Sequence, residues 1–98
     1  LLQKKILPWT NRTLAADEDF HNLRIITKKT RYALETIGKP IQPLRDLQEI
    51  LGKGHDLKVL QDFLGETPML QSEMIKQYKE ARRLIRPTIR FVINNLKL

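Results

Sequence analysis

Apolar residues recur at spacings of three and four along nearly the whole chain, and nowhere do they alternate in twos over a strand length. That period belongs to helices with one buried face and excludes a sheet-based core. The chain therefore reads as all-α. Pro8, Asp17, Gly38-Lys39-Pro40, Gly52-Lys53-Gly54, Gly65 and Thr67-Pro68 punctuate it, since glycine suits helix ends and proline suits first turns. The spacing predicts four to five helices, over 18–37, 41–51, 55–64 and 68–96, with a shorter one before Pro8. Short connections make neighbours antiparallel, and 98 residues amount to one small bundle with one core.

The expected core faces follow from the same period. Leu23, Ile26, Thr30, Ala33, Leu34 and Ile37 share one arc of the first long helix. Leu44, Leu47, Ile50 and Leu51 form the stripe of the next, and Val59, Leu60, Phe63 and Leu64 that of the third. Met74, Tyr78, Ala81, Ile85, Thr88, Val92 and Leu96 do so on the last, where Pro87 predicts a kink or break after Arg86.

Composition bounds the chemistry. There is no cysteine, which excludes disulfides, thiolate metal sites and thiol nucleophiles and makes a reducing cytoplasm the default expectation. No apolar run approaches membrane-spanning length, so no membrane partner is expected. The chain opens on Leu1 without Met, as a fragment or trimmed chain does. Eighteen Lys and Arg against 11 Asp and Glu leave a net charge of +7, which calls for a polyanionic partner.

That surplus is localised. Residues 1–20 and 36–66 nearly cancel, whereas 21–35 carry Arg24, Lys28, Lys29 and Arg31 against Glu35. Residues 67–98 carry Lys76, Lys79, Arg82, Arg83, Arg86, Arg90 and Lys97 against Glu73 and Glu80. At ~100° per residue, His21, Arg24, Lys28 and Arg31 keep to one line away from the core face. Lys79, Arg83, Arg86 and Arg90 form a tighter row on the last helix, flanked by Lys76 and Arg82. Such rows suit an extended polyanion, because Arg offers a planar fork to phosphate oxygens and Lys a mobile point charge. The plain alternative is a solvated helix face.

His21 lies on the basic line, where an imidazole donates to an anion more readily than it packs. His55 follows Gly52-Lys53-Gly54 and, on the predicted spans, opens a helix whose first amides could share a phosphate with it; a capping role with Asp56 is the alternative. Neither histidine has a second one at helical ligand spacing, so no metal site is expected. Asn11-Arg12-Thr13 fits a glycosylation sequon and is read as chance. No phosphate-binding Gly-rich loop, catalytic constellation or cofactor site emerges. Asp17 and Asp19 sit where acids favour a helix start.

The stretch His21-Asn-Leu-Arg24-Ile-Ile-Thr-Lys28-Lys29-Thr-Arg31-Tyr32-Ala-Leu-Glu35 resembles the signature helix of the CHAD family, the conserved histidine α-helical domain. Leu44-Arg-Asp-Leu47-Gln48-Glu-Ile-Leu51-Gly52-Lys-Gly-His55-Asp56-Leu-Lys-Val59-Leu60 is similar to the helix, turn and His-Asp element that follow it. The likeness covers about residues 18–65; the last helix resembles the family only in being long and basic. It implies an all-α domain that binds inorganic polyphosphate through a basic groove, with no catalysis of its own. Carried over by position, His21, Arg24, Lys28, Lys29, Arg31 and His55 are the implied ligands. Lys79, Arg82, Arg83, Arg86 and Arg90 extend the set from charge geometry. Family domains hold two related bundles facing a shared cavity, and this chain resembles the second alone, which implies either a fragment or a homodimer. Two other readings share the same charges: a nucleic-acid-binding helical domain, and a protein-interaction bundle for an acidic partner. An enzyme acting on phosphate esters lacks a visible metal cluster or nucleophile.

Overall fold

A computed structural model describes residues 7–10 and 17–96. Among the described residues the chain is all-helical, with a 3-10 turn at Leu7–Thr10 followed by α1 (Asp17–Thr36), α2 (Gln42–Leu64) and α3 (Pro68–Leu96). Three long helices thus stand where four were predicted over the described residues, and the shorter one expected before Pro8 falls on residues that lie outside them. Residues 41–51 and 55–64 are one helix that runs through Gly52-Lys53-Gly54 unbroken.

The true helix ends have local causes. After α1, Gly38 takes a φ of 73°. Its N–H reaches the Glu35 carbonyl at 3.0 Å and that of Lys39 reaches Leu34 at 2.9 Å, a Schellman closure that needs a left-handed residue. Pro43 lies in the first turn of α2, where a missing N–H costs nothing. Gly65, at φ 87°, ends that helix with its N–H on the Gln61 carbonyl at 2.8 Å. Thr67 then caps α3, its hydroxyl accepting from the Leu70 N–H at 3.2 Å.

Gly54 is buried in α2 for a reason unrelated to turns: a Cβ there would meet the Tyr78 ring of α3 at 2.7 Å. Tyr78 in turn stacks on Phe20 of α1, with centroids 3.9 Å apart and planes within 10°. One glycine and two rings therefore set the mutual height of the three helices. Pro87 does not break α3, which continues to Leu96.

The core joins Trp9 and Phe20 to Leu23, Ile26 and Leu34 of α1, Leu44, Leu47 and Leu51 of α2, and Ala81, Ile85, Ile89 and Val92 of α3. Thr27 and Thr30 are buried too, each donating its hydroxyl to a carbonyl four residues back at 2.7 Å. Trp9, Phe20, Thr27 and Ile89 were not in the expected faces. Ile37, Val59, Leu60, Phe63 and Leu64 were, and they are exposed, Phe63 to 86%. Continuity of α2 explains the correction. With the phase carried from Leu44 at ~100° per residue, Leu47, Leu51, Gly54 and Gln61 fall to one side, whereas Val59, Leu60, Phe63 and Leu64 lie roughly 60–160° from Leu44 on the other. Leu96's side chain and the Asn11 sequon lie outside the described residues.

Candidate functional site

The uninterrupted α2 changes the setting of His55, which sits in mid-helix and not at a helix N-terminus; its backbone amide is not free to hold an anion. Its side chain instead meets the α1 row. His21 and Arg24 of α1, with His55 and Lys58 of α2, line one cleft of about 110 Å³ whose floor is Phe20, Leu51 and Tyr78. Residues 51, 55 and 58 follow one face of α2, as 21 and 24 do on α1. The Gly54–Tyr78–Phe20 contact is what holds these faces level, since Gly54 precedes His55 and Phe20 precedes His21.

Lys58 was not among the sequence candidates. Its signal was the spacing of three from His55, which lay in plain view within the predicted helix 55–64; the expected turn at 52–54 hid only the face the two share with Leu51. Its ammonium lies 3.2 Å from Asp62 Oδ1.

Further along α1 the row continues through Lys28, whose ammonium is 5.8 Å from the Tyr32 ring centre. Arg31 is half-buried, with its guanidinium 4.8 Å from the same ring. Its Nε is 2.9 Å from Glu35 Oε1, close enough for an ion pair, but the N–H is out of line and has no hydrogen-bond acceptor. Lys29 is exposed and, at ~100° beyond Lys28, points away from the line formed by His21, Arg24 and Arg31.

The α3 cations divide, Arg82 lying beside the cleft and the others away from it. Lys79 and Arg83, with Lys76, Gln77 and Glu80, line a second concavity of about 380 Å³. Arg83 donates from Nε to Glu80 Oε2 at 3.0 Å and from Nη2 to Oε1. That hydrogen bond holds the Glu80 carboxyl below the usual carboxylate range and pushes the Arg83 guanidinium further up. Arg82 lies 5.2 Å over the Phe20 ring, beside the cleft floor. Arg86 and Arg90 are exposed on the same helix.

No helix among the described residues is long and apolar enough to cross a membrane. No group of three or more potential metal ligands occurs among them.

The described residues thus define an all-helical domain in which His21, Arg24, His55 and Lys58 line one cleft between the first two long helices. The family model of the CHAD domain matches residues 2–65, well over half of the chain, and the protein belongs to that family. The match takes in α1, α2 and the whole lining of the cleft except Tyr78; α3 lies beyond it. No curated protein and no solved structure matches the chain.

Proposed function

We propose that the protein binds inorganic polyphosphate without chemical turnover, by charge-assisted hydrogen bonds from Arg, Lys and His. The observation that carries this reading is the meeting of His21 and Arg24 with His55 and Lys58 across two helices. Four cationic or protonatable groups around one small cleft serve adjacent phosphates better than they serve a lone carboxylate. From there Lys28 and Arg31 extend the site along α1, ten residues of helix giving about 15 Å of track, while Lys29 stands to one side of it. Lys79, Arg82, Arg83, Arg86 and Arg90 offer a longer chain a second tract. Two copies associating about a two-fold axis would double that surface.

Nucleic acid is the competing ligand, and the rings argue against it. Phe20 is 5% exposed and already stacked on Tyr78, and Tyr32 is engaged by Lys28 and Arg31, whereas single-strand binders present free faces to bases.

The test is a titration with long-chain polyphosphate and with RNA at equal phosphate concentration, at several salt concentrations. Polyphosphate should bind preferentially, and its affinity should fall steeply with salt as counterion release dictates. Arg24→Glu with Arg31→Glu should abolish binding while the far-ultraviolet dichroism stays helical. Salt-independent affinity, or preference for RNA or for an acidic protein, would reverse the assignment. Solution mass with and without polyphosphate reports the assembly.

A further inference from the structure

Four ion pairs within the described helices fall into two kinds. In Glu49–Lys53, at 3.8 Å, and Glu80–Arg83 the acid comes first along the chain, the order that helices favour. In Arg31–Glu35, at 2.9 Å, and Lys58–Asp62, at 3.2 Å, the base comes first. Those two acids also stand in the last turns of α1 and α2, where the helix dipole disfavours a negative charge. Helix stability therefore accounts for neither Glu35 nor Asp62. What the two share is their partner: each lies against a cation of the proposed phosphate row, one in the cleft and one further along α1.

We propose that Glu35 and Asp62 are built-in counter-anions of the binding site, occupying Arg31 and Lys58 until phosphate displaces them, and so setting its affinity. This rests on the polyphosphate reading above. Both pairs are suited to displacement. Asp62 is 64% exposed in its side chain and Glu35 42%, so solvent weakens their hold. The Arg31 Nε–H, left without an acceptor beside Glu35, has a hydrogen bond to gain from an incoming phosphate oxygen.

The experiment titrates tripolyphosphate into the wild type, Asp62→Asn, Lys58→Gln and the double variant, with Glu35→Gln alongside and Glu49→Gln as an acid paired away from the cleft. Asp62→Asn and Glu35→Gln should each tighten binding roughly two- to fivefold, the range for loss of one exposed ion-pair competitor. In the Lys58→Gln background the gain from Asp62→Asn should vanish. Asp62→Asn should not lower the melting temperature, since it removes a charge opposed to the helix dipole. An unchanged or weaker affinity for Asp62→Asn, an equal gain from Glu49→Gln, or a gain that survives Lys58→Gln would overturn the proposal. Those failures would leave the site itself standing if Arg24→Glu still removes binding. A wild type that does not bind tripolyphosphate or longer chains would remove both.

Discussion

Replacing Gly54 and Gly52 by alanine, one at a time, tests the contact on which the cleft depends. Both glycines are inside α2, where alanine is favoured over glycine by about 0.8–1 kcal/mol. At Gly52 a Cβ would meet nothing within 4 Å, so that gain should be kept and raise the melting temperature by about 4–8 °C for a domain of this size. At Gly54 the same atom would lie 2.7 Å from Tyr78 Cε1 and 3.2 Å from Cδ1, against ordinary carbon contacts of about 3.5–4.0 Å. The ring must retreat by about 1 Å, yet it is stacked on Phe20, which is 5% exposed. Overpacking of this kind costs about 1–3 kcal/mol, and loss of the ring pair adds about 0.5–1.5 kcal/mol. Gly54→Ala should therefore fall about 1.5–4.5 kcal/mol below Gly52→Ala in urea unfolding followed by circular dichroism. Trimming the ring should relieve the clash, so Gly54→Ala should cost far less in a Tyr78→Ala background, a coupling that a double-mutant cycle reads directly. Equal stabilisation by both glycine substitutions would show that α2 and α3 do not meet at this height, and the argument that levels His21 with His55 would go with it.

Two further expectations follow from burial and from the imidazoles. Leu47→Ala should cost about 2–5 kcal/mol, because Leu47 is 2% exposed in the core, while Phe63→Ser should change stability by only about 0.5 kcal/mol despite the size of the ring, because Phe63 is 86% exposed; a reversed order in chemical denaturation would mean the faces of α2 are misassigned. His21→Gln with His55→Gln should weaken polyphosphate binding in calorimetric titrations, because both imidazoles line the cleft, while circular dichroism stays helical; an unchanged affinity in the double variant would remove the histidines from the site.

The three-and-four spacing was enough to read an all-helical chain and most of its buried stripes, because Leu23, Ile26, Leu34, Leu44, Leu47 and Leu51 pack according to helix phase alone. Thr30 belonged to that stripe despite its hydroxyl, which its own helix satisfies. Gly38 and Gly65 were likewise legible as ends, each holding a positive φ. Gly52 and Gly54 were not, since a glycine that ends a helix and one that admits a neighbouring ring leave the same letter in the sequence. Only the position of Tyr78, 24 residues downstream in the chain, separates the two.

That single ambiguity propagated into the site. Breaking α2 at residues 52–54 detached the phase of 55–64 from that of 42–51, which placed Val59 and Phe63 inside and His55 at a helix start. Restoring the phase moves the apolar residues outward and brings His55 and Lys58 together round to the face of Leu51. The α1 half of the site needed no such correction, because its cations lie on one helix with no glycine between them. A row of cations confined to one helix can be read from spacing, whereas the side chains that face it from a second helix depend on where that helix begins and on which contact fixes its height.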